Sequence, residues 1–124
     1  MKQVSLLAAL ILAPLAALAD ASGTWTATFE TQVGEQNYTF MFEVDGMTLT
    51  GTAKSSVAGT ENSEVQLADG KVDGDTITFV ENLTYQGMPL VITYTGTMTS
   101  DDEIAFSRDI AGVATEELVA TRTE

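Results

Sequence analysis

From Gly23 onward, apolar and polar side chains alternate with a period of two, and Gly and Asp interrupt the alternation at roughly the 8 to 12 residue spacing of strand-and-turn proteins. Successive side chains of a strand point to opposite faces, so a chain written this way buries its apolar half only as half-buried strands. Trp25, Ala27 and Phe29 share one face and Thr24, Thr26, Thr28 and Glu30 the other. After a turn at Gly34 to Gln36, a second run turns Tyr38, Phe40, Phe42 and Val44 inward. Asp45-Gly46 leads into a third, with Leu49, Gly51 and Ala53 inward. A polar loop, Ser55 to Asn62, precedes a fourth run with Val65 and Leu67, and Asp69 to Asp75 then reads as a tight acidic turn. The fifth run carries Ile77 and Phe79 and extends toward Leu83 and Tyr85. The sixth carries Leu90, Ile92, Tyr94, Gly96 and Met98, the seventh Ile104, Phe106, Arg108 and Ile110, and the eighth Leu118, Ala120 and Arg122.

About eight strands in sequence order, each with one apolar face, predict an all-β, antiparallel up-and-down meander closing into a small β-barrel. A two-sheet β-sandwich is the alternative. Three segments, 42–51, 70–79 and 97–106, each place a turn just before an alternating strand, an echo of recurring hairpin chemistry. Gly51 and Gly96 on the inward parity favour the barrel, where strands bend sharply around a narrow lumen.

The apolar run Val4 to Ala19 follows Lys2 and ends Ala17-Leu18-Ala19 before Asp20. A short charged start, an apolar stretch and small residues at the boundary predict a secretory signal peptide over residues 1–19, cut after Ala19 or, second, after Ala21. The run falls short of the roughly 20 residues that span a bilayer, and Pro14 interrupts it. The expectation is therefore a single β-barrel domain, 20–124, released to the periplasm or secreted, with no membrane anchor after cleavage. The chain has no Cys, so its fold must rest on its core without disulfides.

With neither Cys nor His, thiolate or imidazole metal sites and Ser-His-Asp triads are excluded, and no cofactor is expected. A formal net charge of -13 argues against nucleic acid as a partner, because phosphate backbones reward clustered Lys and Arg. The carboxylate pairs Asp73/Asp75, Asp101/Asp102 and Glu116/Glu117 lie in turns or beside one another in sequence, so they do not converge as the acid and base of a hydrolase must.

Gly23-Thr24-Trp25 at the first strand and Arg122 near the end of the last resemble the calycin superfamily of lipocalins, fatty-acid-binding proteins and avidins. The resemblance implies that Trp25 lies across the barrel bottom with Arg122 over its indole, a structural plug held by cation–π attraction. It departs from lipocalins in lacking Cys, and from avidins in carrying Thr26-Ala27-Thr28 where those proteins set biotin ligands. Gly70 to Phe79 is also similar to small secreted bacterial β-domains, a likeness that implies no activity.

Two charges stand on the apolar parity: Glu81 with Ile77, Phe79 and Leu83, and Arg108 with Ile104, Phe106 and Ile110. Buried charges need partners, water or a ligand. Arg108, Glu81, Tyr38, Tyr85 and Tyr94 are accordingly the candidate lumen residues, with Arg108 placed to receive an anion. The alternative is that Arg108 and Glu81 pair with each other or sit at the rim. The reading that follows is a non-catalytic barrel binding a small hydrophobic or amphipathic ligand. A module with a filled core that meets another protein is the alternative, and a carboxylate hydrolase the third.

Overall fold

The computed structural model describes residues 20–123. The expected signal peptide, residues 1–19, lies outside the described residues, as does Glu124. The strands are β1 (Gly23–Thr31), β2 (Gly34–Asp45), β3 (Thr48–Val57), β4 (Thr60–Glu61), β5 (Val65–Gln66), β6 (Ala68–Asp73), β7 (Thr76–Tyr85), β8 (Met88–Ser100), β9 (Glu103–Ile110) and β10 (Ala114–Thr123). There is no helix among the described residues.

Hydrogen bonding runs β2-β1-β10-β9-β8-β7-β6-β3, and β3 pairs in turn with β2. This closes an eight-stranded barrel in which every ring pair is antiparallel. Apart from the closing β10–β1 pair, ring neighbours follow one another in the chain once β4 and β5, which lie against β3 outside the ring, are set aside. The fold is thus the up-and-down barrel, and closure leaves no apolar sheet face to be covered by a second sheet.

Three local expectations are corrected. The first turn falls at 32–33, so Gly34, Glu35 and Gln36 belong to β2 and Gln36 is buried. Ser55 to Val57 continue β3, and a hairpin through Ala58 and Gly59 leads to β4 instead of an open loop. The fourth ring strand is Ala68–Asp73; Val65–Gln66 is a side strand, and the turn narrows to Gly74-Asp75. β6 alternates like its neighbours, with Ala68, Gly70 and Val72 inward and Asp69, Lys71 and Asp73 outward. Its inward residues are small because β3 passes close by: a Cβ at Gly70 would collide with the Leu49 carbonyl oxygen. Asp69 takes φ 53°, and the register shifts between Ala68 and Lys71, which marks a bulge.

The alternating strand directions sort the connections into two ends. Turns at 46–47, 74–75 and 101–102 gather at one end, and these are the three turns of the sequence echo. Those at 32–33, 58–59, 86–87 and 111–113 gather at the other. Between them the lumen is packed with aromatic rings. Phe79 stacks on Tyr94 at 4.5 Å, and Phe40 meets Phe79, Tyr94 and Phe106 at 5.7–5.9 Å. Such pairs contribute about 0.5–1.5 kcal/mol each beyond the burial of their area. Gly96 sits opposite Phe106 across the β8–β9 pair, and the phenyl ring occupies the space a side chain would need.

The end that carries the 46–47 turn is closed by Trp25, fully buried on β1, and Arg122, its cross-strand partner on β10. The indole Nε1 donates to the Ala21 carbonyl at 2.9 Å, and the Arg122 guanidinium lies 4.4 Å from the ring centroid. The guanidinium also donates to the carbonyls of Ser22, Asp20 and Asp101 at 2.6, 3.0 and 2.8 Å. One side chain thereby covers the indole and ties the segment ahead of β1 to the 101–102 turn.

Candidate functional site

The opposite end of the lumen is open. A cavity of about 620 Å³ enters there, within the roughly 300–1,000 Å³ range of small-molecule sites. Its apolar walls include Val57, Leu83, Tyr85, Leu90, Ile92 and Ile110, from strands that reach this end. Tyr38, Gln36 and Arg108 form the polar floor, where the aromatic packing stops. The rim includes Glu30, Thr31, Thr115 and Glu116. β1 and β10 pair only through Thr24–Thr26 and Thr121–Thr123, at the closed end, so the far ends of both strands are left to line the opening.

The floor is a polar network carried across five strands, β2, β7, β8, β9 and β10. Arg108 on β9 is 2% exposed and donates through Nη1 to the Tyr94 hydroxyl at 2.8 Å and through Nη2 to Gln36 Oε1 at 2.8 Å. Its Nε and Nη2 both donate to Glu116 Oε1, at 3.0 and 2.7 Å, across the β9–β10 pair. Its Cζ lies 4.9, 5.2 and 5.7 Å from the ring centroids of Phe29, Tyr38 and Tyr94. Beneath it, Tyr94 donates to Glu81 Oε1 at 2.8 Å, and Tyr38 donates to both Glu81 oxygens at 3.0 Å. Glu81 itself is 0% exposed.

Arg108 and Glu81 are therefore linked through the Tyr94 hydroxyl and do not form a direct ion pair; the ion pair of Arg108 is with Glu116. Every buried side-chain nitrogen and oxygen of the described residues has a partner. Burial pushes the Glu81 carboxyl above its ordinary range, opposed by the hydrogen bonds from Tyr94 and Tyr38 and by the nearby Arg108 charge. Burial, then the Glu81 charge, raises the Tyr38 hydroxyl to about 12 and Tyr94 well above its ordinary value, so both hydroxyls stay protonated donors at neutral pH.

Of the residues singled out from the sequence, Arg108, Tyr38 and Tyr85 line the cavity. Tyr94 and Glu81 lie beneath its floor, and Trp25 and Arg122 are at the other end of the barrel. Gln36, Glu116 and Glu30 also line the cavity, although the sequence reading does not place them there. Gln36 shares the parity of Tyr38 and Phe40, and Glu116 that of Leu118, so extending both patterns by one step identifies them. Glu30 stands on the outward parity of β1 and reaches the cavity only where that strand ends.

No protein-family model matches this chain, and neither a curated protein nor a solved structure matches it.

Proposed function

We propose that this protein is a non-catalytic binding barrel, exported to the periplasm or the medium, that holds a small hydrophobic or amphipathic molecule in the open end of its lumen. The cavity above the Arg108 floor carries the reading: apolar side chains wall most of a volume of about 620 Å³, while the lumen beneath it is packed with aromatic rings. Burying apolar ligand surface there contributes about 25 cal/mol per Å² removed from water, before the costs of association. A calycin-like barrel is the form this proposal takes, with Trp25 and Arg122 as a structural plug and the ligand at the other end.

The filled half of the lumen supports a second reading, a protein-interaction module in which the cavity is only the end of the core. Native mass spectrometry of the protein purified gently from its own source separates the two. A co-purifying small molecule, lost on denaturation, is the expected result. A bare chain that also fails to bind apolar probes would select the interaction module.

A further inference from the structure

Resting on the lumen-binding reading, the chemistry of the floor and rim says which way round the ligand sits and what head group it carries. The polar floor offers little to a newcomer. Arg108 has five N–H donors, and four are spent on Glu116 twice, on Gln36 and on Tyr94. Its faces are covered by Phe29, Tyr38 and Tyr94. Gln36 is engaged at both ends of its amide, accepting from Arg108 and donating to Thr31 Oγ1 at 3.0 Å. The Tyr38 hydroxyl is committed to Glu81. One N–H, on Nη1, is left over, and a ligand anion seeking the two-bond contact a carboxylate favours would have to displace Glu116, already bonded at 2.7 Å. An alkyl chain needs no such displacement: it meets the apolar walls and leaves the network intact.

The rim has the opposite character. The lining holds two carboxylates, Glu30 and Glu116, against the single guanidinium of Arg108. Both bonds from Arg108 fall on Glu116 Oε1, which leaves Oε2 free to accept. Exposed Glu35, Asp109 and Glu117 stand near the same ends of β2, β9 and β10. Of the other basic side chains of the described residues, Lys54 is paired with Glu61, and Lys71 and Arg122 belong to the closed end. A head group at this rim is surrounded by negative charge.

We infer that the ligand is a single-chain amphiphile bound tail-down in the lumen, with a positively charged head group at the Glu30 and Glu116 rim. The test is calorimetric titration at low ionic strength with three compounds sharing a ten-carbon chain: decyltrimethylammonium, 1-decanol and decanoate, each below its aggregation concentration. The expected result is one site per chain that binds the cation at least about tenfold more tightly than decanoate, with decanol between them and able to displace the cation. Added salt narrows the gap. Glu30→Gln, an exposed change that spares the Arg108 network, narrows it by about two- to threefold. Decanoate or decanol binding as tightly as the cation would overturn the inference and leave lumen binding standing. A cation bound at several sites and not displaced by decanol, or a preference unchanged in Glu30→Gln, overturns the rim assignment. If none of the three binds, the lumen reading fails with it.

Discussion

Glu81 sets how the barrel responds to pH. Its carboxyl is fully buried, and burial raises its folded-state pKa above the unfolded value. The folded state therefore holds the proton more tightly than the unfolded chain does. The stability this contributes is fully present below the ordinary carboxylate range and is lost as pH rises through the raised value. Thermal melts of the protein and of Glu81→Gln, between about pH 4 and pH 8, should show the variant gaining relative stability with rising pH; parallel curves would place the folded pKa at its ordinary value. Arg108→Ala removes the donor shared by Glu116, Gln36 and Tyr94 and should cost about 3–5 kcal/mol in denaturant unfolding. A change below about 1 kcal/mol would mean that water replaces the guanidinium freely. Parity alone flagged Glu81 and Arg108, because a charge among inward-facing residues is visible in the sequence. Their partners are less legible: in the sequence Gln36 falls in a turn segment, and Glu116 is one of two adjacent acids. Partner choice depends on cross-strand register, which alternation does not encode.

Among the elements, β6 is the least secure member of the ring. It meets β3 at the single register pair Thr48 and Lys71, a bulge interrupts its ladder with β7, and its inward side chains are small. Local opening follows such deficits of packing and pairing. Hydrogen exchange should therefore find the amides of Ala68–Asp73 the fastest of the ring strands, and protection equal to that of β7 or β8 would refute this. The same deficit gives β6 the sequence of a turn: Asp, Gly and Lys in alternation resemble a loop, and only the β3 backbone lying against Gly70 accounts for the strand. The long strands were legible because Phe, Tyr and Ile recur on one parity with nothing to contradict them. At the closed end, the β1–β10 seam depends on Trp25. Trp25→Ala should destabilise by about 3–5 kcal/mol in chemical denaturation, since the indole fills the lumen end and carries Arg122 over it. A loss under about 1 kcal/mol would mean that other groups close this end.

In the whole molecule the lumen has two parts. One length is filled with aromatic rings and holds the ring of strands together; the other is left hollow above a floor whose polar atoms satisfy one another. Wall residues such as Leu90 and Ile110 are only partly buried, so they are freer to vary than the rings beneath them. The ring also has a consequence for connectivity. Every neighbour around it is joined by a hairpin except β10 and β1, where Thr123 stands opposite Thr24, and β3 and β6, joined through the longer segment that holds β4 and β5. The order of strands around a closed ring is the same wherever the chain is cut. A circular permutant in which a short glycine-serine linker joins Thr123 to Asp20, so that the carbonyls of Asp20 and Ala21 at the plug are kept, with new termini between Asn62 and Ser63, should fold to the same barrel with the same far-ultraviolet circular dichroism. Failure to fold would show that the 58–67 connection, and not closure of the β1–β10 seam, is what brings the ring together.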